Sequence, residues 1–156
     1  MTVPNVIVEA VDSYFRQDLG FLRKGATWYL KLEQMSWVVN LQKSQYSSKY
    51  FLNVGIWLND LGHLEWPKEQ ECHVRTRINA LLPLDEESLV SRLFDLEAAS
   101  EESERRASLR DLLRRTLGVL IQNVRGSEDL RLSIGHSFVK RSIVRAAAQP
   151  LLHQPD

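Results

Sequence analysis

The sequence predicts an α+β fold: an N-terminal helix, a four-stranded antiparallel β-meander, and a C-terminal helical region packed against the sheet. Apolar residues recur at three- and four-residue spacings near the start of the chain and again after Pro83, and they alternate with polar residues between residues 27 and 78. The chain has 156 residues, of which 44% are hydrophobic and 26% charged. This is the usual size and composition of one globular domain, so we expect residues 1–156 to form a single domain.

Residues 1–26 are predicted to form a helix and a connector. The helix extends from Pro4 to Leu19, with Asn5 as a candidate N-cap and Gly20 as the terminator, because these residue types favour those positions. Its apolar stripe, which we expect in the core, consists of Ile7, Val11, Tyr14, Phe15 and Leu19. The connector, Phe21 to Ala26, is rich in turn formers.

A hairpin between Ser36 and Leu58 forms the centre of the predicted sheet, which occupies residues 27–78. Both of its strands alternate between apolar and polar positions, and the loop Gln45–Lys49 is short enough to join an antiparallel pair. One register puts all the apolar side chains on one face and the amides on the other. Its pairs are Trp37 with Ile56, Val39 with Val54, Leu41 with Leu52, Asn40 with Asn53, and Gln42 with Phe51.

Two further strands are predicted on either side of the hairpin. Thr27–Glu33 is expected to place Leu30 opposite Val39 on the apolar face. In Cys72–Ile78, alternation assigns Cys72 to the apolar face and assigns His73, Arg75 and Arg77 to the polar one.

The helical region is predicted over residues 85–149. An acidic helix start lies at Asp85–Ser88, and a long helix is expected from Glu102 to Val124. Intrahelical ion pairs are predicted for Glu101–Arg105, Glu102–Arg106 and Asp111–Arg115. After Gly126 we expect a short helix from Ser127 that Gly135 interrupts, a last helix over Ser137–Ala148, and a frayed tail over residues 150–156.

Several short motifs carry a resemblance to a known family. They are Gly20-Phe21, Trp28-Tyr29, Asn40-Leu41-Gln42-Lys43-Ser44, Asn53-Val54-Gly55 and His73-Val74-Arg75-Thr76-Arg77-Ile78. In their identity and order the chain resembles the domain of unknown function 4304 family of bacterial proteins, over residues 5–125. The resemblance implies the order of the elements. It implies no established activity, cofactor or catalytic residue.

The polar face of the sheet is the best candidate for a site. Amide and guanidinium groups on a rigid surface can bind a carboxylate, a phosphate or the backbone of a partner. The alternative is a polar sheet face that is merely solvated or paired with the acidic helix. The predicted face also carries His73, and the candidate binding residues are Tyr29, Lys31, Asn40, Gln42, Ser44, Asn53, Arg75 and Arg77.

Two functions are compatible with such a face. The first interpretation is a non-enzymatic protein-binding or accessory module of the immunity type, with a protein partner and no cofactor. The alternative is an enzyme or a binder of small anionic ligands that uses Gln42, Asn53 and Arg77. A deep pocket around these side chains would favour the alternative, and a flat exposed surface would favour the first interpretation.

Other chemistries find little support in the sequence. Adjacent residues of a strand point to opposite faces, so Cys72 and His73 are not expected to bind one metal ion. Cys72 is expected to be an inert apolar residue, Ser44 has no neighbouring base, and no nucleotide-binding or hydrolase motif is present. Nucleic-acid binding through Arg106, Arg110 and Arg114, extended by the basic residues between 140 and 145, is disfavoured because the net charge is zero.

The sequence also bears on location and assembly. Cys72 is the single cysteine, so no intramolecular disulfide can form, and the N-terminal residues do not have the pattern of a signal peptide. No apolar run is long enough to span a bilayer. We therefore expect a cytoplasmic protein that does not enter a membrane. The sequence leaves open whether the chain forms a homodimer, and an exposed Trp57 or Trp66 would favour one.

Overall fold

The computed structural model describes residues 5–153. Its centre is an antiparallel sheet whose six strands lie side by side in the order in which they occur along the chain. The α+β class and the antiparallel meander are therefore confirmed, but the sheet has six strands and not four. The strands are β1 (Leu22–Lys24), β2 (Thr27–Lys31), β3 (Met35–Lys43), β4 (Tyr50–Leu58), β5 (Val74–Arg77) and β6 (Ile143–Val144).

Helices precede and follow the main part of the sheet. Two π-helical turns continue these helices: Ser13–Asp18 follows the first helix, and Arg114–Gly118 joins the third helix to the fourth. The helices are α1 (Val6–Asp12), α2 (Glu87–Leu93), α3 (Glu102–Leu113), α4 (Val119–Asn123), α5 (Ser127–Leu130), α6 (Ser133–Lys140) and α7 (Gln149–Leu152). Pro4 and residues 154–156 of the predicted tail lie outside the described residues.

The register of the central hairpin is the predicted one. All five predicted pairs between β3 and β4 occur, including Val39 opposite Val54 and Asn40 opposite Asn53. The predicted pairing of Leu30 with Val39 is wrong, because Leu30 lies opposite Trp37. A slip of two residues keeps every side chain on its own face, so the polarity pattern does not distinguish these two registers. The tight turn between β2 and β3 decides it, with the Leu32 amide donating to the Met35 carbonyl.

The two additional strands lie at the edges of the sheet. β1 falls within the predicted connector and pairs with β2 through a turn at Gly25, whose φ of 62° is a conformation that glycine adopts without strain. β6 falls within the predicted helix Ser137–Ala148 and pairs with β5. Strands of three and two residues are too short to produce an alternating pattern. Only their neighbours in space identify them.

The helices cover the apolar face of the sheet. Trp37 of β3 is fully buried there, donates from its indole Nε1 to the Val124 carbonyl at 3.0 Å, and packs against Phe138 of α6. Phe15 packs in the same layer against Trp28 of β2. Sheet and helices therefore share one hydrophobic core. The predicted stripe of the first helix belongs to it, and Asn5 caps that helix through its Oδ1 atom.

Three predicted helical features differ from the structure. The long helix ends at Asn123 and contains the wide turn at Arg114–Gly118, where a Cβ atom at position 118 would collide with the Tyr14 hydroxyl. Gly135 lies inside α6 and does not interrupt it, and a Cβ atom at this position would collide with the Asp129 carbonyl. The start of the predicted frayed tail is helical instead, since Pro150 lies in the first turn of α7, where the missing N–H costs no intrahelical bond.

One of the predicted ion pairs is wrong and two are confirmed. Glu101 caps α3 by accepting from two backbone amides, and Arg105 is instead buried and donates to the carbonyls of Asp95 and Ala98, both at 2.6 Å. A capping carboxylate faces the helix N-terminus and cannot also reach the next turn. The pairs Glu102–Arg106 and Asp111–Arg115 are present at 3.9 and 3.4 Å.

Candidate functional site

The sheet has a second face, opposite the helices, and it divides into two halves. We call the part beneath the segment 59–73 the covered half, and the part around Asn40, Asn53 and Arg77 the open half. Alternation along β3, β4 and β5 directs the side chains of the open half to the same side. The register then aligns them across the strands, with Thr27 opposite Asn40, Asn40 opposite Asn53, and Asn53 opposite Arg77.

Hydrogen bonds fix the orientation of the amides in the open half. Asn53 is buried, donates from Nδ2 to Gln42 Oε1 at 3.0 Å, and accepts at Oδ1 from Arg77 Nε, also at 3.0 Å. Asn40 donates from Nδ2 to Thr27 Oγ1 at 3.1 Å and to the backbone. Because the Gln42 oxygen is the acceptor, its amide nitrogen remains as a donor to any ligand.

Arg77 presents a positive charge at this surface. Its Cζ atom lies 4.5 Å from the centre of the Phe51 ring, and its Nε atom is held by Asn53. The side chain is exposed, and no carboxylate within residues 5–153 lies at ion-pair distance from it. Its two terminal nitrogens can therefore donate to an incoming anion.

Asn40, Gln42, Asn53 and Arg77 line a pocket of about 730 Å³. Its far wall includes an ion pair in which Arg75 Nε of β5 lies 3.1 Å from Oε1 of Glu69, a buried residue from outside the strands. This pair cancels its own charge, whereas Arg77 and Arg141 add two positive charges to the lining. The lining residues are Asn40, Gln42, Asn53, Glu69, Gln70, Arg75, Thr76, Arg77, Arg141 and Ile143.

The covered half holds two of the predicted binding residues away from the pocket. Tyr29 is buried and meets Trp66 edge to face, with ring centres 5.2 Å apart. The ammonium groups of Lys31 and Lys24 lie 3.7 and 4.0 Å from the centre of the Trp66 ring. Cation–π contacts of this kind hold the segment 59–73 on the sheet. Tyr29 and Lys31 therefore contact this segment and not the pocket.

Cys72 is buried in the covered half, against Tyr29 and Val38, so its predicted place on the apolar face is wrong. The strand begins only at Val74, and the turn before it rotates the thiol to the other side. Burial raises the pKa of the Cys72 thiol, and the charge of Glu69 adds to this effect. The thiol is therefore protonated at neutral pH, as expected for an inert cysteine.

His73 and Ser44 also lie outside the pocket. His73 is buried, packs on the Trp57 ring and accepts at Nδ1 from the Leu58 amide at 2.9 Å, so it extends the β4–β5 pairing with a side chain. Burial lowers the pKa of His73, and the positive charge of Arg145 lowers it further. Ser44 lies at the start of the hairpin loop, where its hydroxyl accepts from the Tyr46 amide.

The pocket thus unites five of the predicted site residues and adds residues that the sequence did not indicate. Asn40, Gln42, Asn53, Arg75 and Arg77 come together as alternation predicted. Glu69 and Gln70 come from the irregular segment before β5, and Arg141 and Ile143 come from the C-terminal region. No periodicity in the sequence connects these two regions to the sheet, so nothing in it could have indicated them.

The residues considered for nucleic-acid binding, metal binding and dimerisation are also described by the structure. The three arginines of the basic stripe each lie in an ion pair: Arg106 with Glu9, Arg110 with Asp18 and Arg114 with Asp111, at 2.5–2.6 Å. Across residues 5–153, no group of three His, Cys, Asp or Glu side chains is placed to hold a metal ion. Trp57 and Trp66 are both half-buried, so the exposed tryptophan on which a homodimer was conditional is not found.

Comparisons with known proteins give one match. The model of the family described as "Domain of unknown function (DUF4304)" matches residues 12–131, which is most of the chain. No curated protein and no solved structure matches the chain. Among the described helices, none combines the length and apolar character that crossing a membrane requires.

Proposed function

This chain belongs to the domain of unknown function DUF4304 family, and we propose that it is a binding protein that holds an anionic ligand in the pocket of the open half. The observation that carries this proposal is the placement of Arg77. Its guanidinium is exposed to the pocket, fixed at Nε by Asn53, and has no carboxylate partner within residues 5–153. A positive group held in one orientation with free donors is suited to a carboxylate or phosphate.

The rest of the lining supports the same ligand class. The pocket volume of about 730 Å³ lies in the usual range of small-ligand sites, about 300–1,000 Å³. Gln42 offers amide donors beside Arg77, and Arg141 contributes a second charge. Of the two functions that the polar face predicted, a concave site of this size favours the binding of a small anion.

Binding is favoured over catalysis by the groups at hand. Glu69 is the one carboxylate in the pocket lining, and it is buried in its pair with Arg75. The hydroxyl of Thr76 is directed to the Arg141 carbonyl at 3.1 Å and has no neighbouring base in the lining. General acid–base and nucleophilic catalysis need a free base next to the reacting group. We place this binding activity in the bacterial cytoplasm, where a lone buried thiol such as Cys72 stays reduced.

Titration calorimetry with citrate and inorganic phosphate tests the proposal. At least one of these anions should bind the wild-type chain, and Arg77→Gln should weaken that binding about tenfold or more, because a charge-assisted hydrogen bond is lost. The matched control is Arg114→Gln, which removes an exposed arginine outside the pocket and should leave the affinity unchanged. Equal losses in the two variants would mean that the overall charge, and not the pocket, attracts the anion.

A protein partner is the second candidate, and the rim of the pocket favours it. Ile143 of the edge strand β6 is 71% exposed and lies next to Arg75. An apolar side chain beside positive charges fits an acidic segment of a partner protein, as in an accessory or immunity-type module. Affinity capture from the native host with wild type and Arg77→Glu tests it. Reversal of Arg75 is unsuitable, since it would leave Glu69 buried without its partner.

A further inference from the structure

A second cavity lies on the helical side of the molecule. Its volume is about 340 Å³, and it is bounded mainly by residues 81–83, the wide turn that follows α3, α4 and α6. Most of its walls are aliphatic or aromatic side chains, so it forms an apolar groove. These apolar residues are Leu81, Leu82, Val119, Leu120, Ile134 and Phe138.

The upper walls of this groove are unusually open to water. Val119 and Ile134 are 45% and 41% exposed, whereas Leu120 and Phe138 are buried at the floor. The charged pair in the lining, Glu86 and Arg115, is joined at 3.0 Å and cancels its own charge. A bound aliphatic group would therefore displace water from apolar surface without leaving a new charge unpaired.

Arg141 lines both the pocket and the groove. Its carbonyl accepts from the Thr76 hydroxyl at 3.1 Å, which ties this residue to β5. Its guanidinium reaches the Leu81 carbonyl at 3.5 Å, and no carboxylate within residues 5–153 pairs with it. A positive charge thus stands where the polar pocket meets the apolar groove.

We infer that the ligand is a single-chain amphipathic carboxylate. The carboxylate lies in the pocket with Arg77 and Arg141, and the aliphatic chain lies in the groove against Val119 and Ile134. Charge complementarity selects the head, and the apolar groove reached through Arg141 receives the tail. This inference rests on the proposed function, because it gives the anionic ligand its chemical class.

The first test varies the chain length of the ligand. Butanoate, octanoate and dodecanoate are titrated into the full chain below their micelle concentrations. Affinity should rise by about fourfold for each methylene that enters the groove, because burying one such group is worth about 0.8 kcal/mol. Dodecyltrimethylammonium, with the same tail and a positive head, should not bind.

The second test uses two matched variants of exposed residues near α6. Ile134→Gln should weaken dodecanoate binding about fivefold and leave butanoate binding unchanged, because only the long chain reaches the groove. Leu132→Gln removes a side chain that is 50% exposed but does not line the groove, so it should change neither affinity.

Each other outcome overturns the inference in a recognisable way. If butanoate and dodecanoate bind equally well, the groove takes no tail, and the anion-binding function stands alone. If neither carboxylate nor citrate nor phosphate binds, both proposals fail together. Equal binding of the ammonium compound shows non-specific adsorption. A change of oligomeric state in Ile134→Gln, measured by light scattering with dodecanoate affinity unchanged, would assign the groove to a second copy of the chain.

Discussion

The two halves of the second face are built from the same strands and use them in opposite ways. In the covered half, Tyr29 and Val38 are buried together with Cys72 beneath the segment 59–73. In the open half, Asn40 and Asn53 occupy equivalent positions and form a hydrogen-bonded network that faces a pocket. The covered half therefore contributes packing, and the open half contributes donors and charge.

Gly55 lies at the border between these halves, and its missing side chain makes the difference possible. A Cβ atom there would lie 2.8 Å from the Cys72 Cβ and 2.9 Å from its Sγ. The segment 59–73 can settle on the sheet only because this position is empty. One strand, β4, thus supports both a closed region and an open one, and the comparison predicts different responses to substitution.

The largest effect is expected for Gly55→Ala. The new methyl group meets the Cβ atom of Cys72, which cannot rotate away, so we expect a loss of about 3 kcal/mol in the free energy of unfolding. Urea denaturation followed by circular dichroism measures it. Cys72→Gly in the same chain removes the opposing atom and should recover part of the loss. An unchanged midpoint in Gly55→Ala would mean that the segment is only loosely seated.

A smaller loss is expected for Trp66→Ala. This change removes the edge contact with Tyr29 and the contacts with two lysines, so unfolding should become easier by about 2 kcal/mol. Gln42→Ala is the matched change in the open half. Its free energy of unfolding should stay within about 0.5 kcal/mol of that of wild type, because the Gln42 side chain is exposed and Asn53 Nδ2 keeps Asn40 Oδ1 as an acceptor at 3.4 Å. Similar losses in both variants, measured by urea denaturation, would contradict the division into two halves.

Asn53→Ala tests whether the hydrogen-bonded network of the open half contributes to stability and to anion binding. Its amide joins Gln42, Asn40 and Arg77, and its removal leaves their polar atoms without partners, at a cost of about 1 kcal/mol. The same variant should weaken citrate or phosphate binding, because Arg77 loses its support. Calorimetry and urea denaturation measure the two effects, with Gln122→Ala, an exposed helical change, as the control. Unaltered binding would separate the network from the site.

The smallest effect is a pH dependence that arises at the edge of the covered half. Burial lowers the pKa of His73 in the folded chain below its ordinary value of 6.5. The unfolded chain then binds more protons below about pH 6.5, so stability that is present at pH 7 is lost as the pH falls through the lowered pKa. His73→Asn keeps an acceptor for the Leu58 amide but does not titrate. Its free energy of unfolding should change less than that of wild type between pH 7 and pH 5, and equal slopes would exclude His73 as the cause.

Much of the fold follows from local pattern. Alternation and the polarity of Asn40 and Asn53 exclude a one-residue slip in the central hairpin, because such a slip would bury the amides in the core. The pattern does not detect a two-residue slip of β2 along β3. Alternation therefore predicts Leu30 opposite Val39, whereas Leu30 lies opposite Trp37. The edge strands β1 and β6 are too short to carry a period, so their pairing depends on the strands beside them.

For the site, local alternation is enough to predict which side chains of the central strands share a face, because alternation is a property of each strand alone. It predicts that Asn40, Gln42, Asn53 and Arg77 lie together. That Tyr29 is covered and that Arg141 joins the pocket follows from the folded chain, since both depend on segments distant in the sequence. The closing of such long-range contacts is set by the packing of the whole chain, and no local period records it.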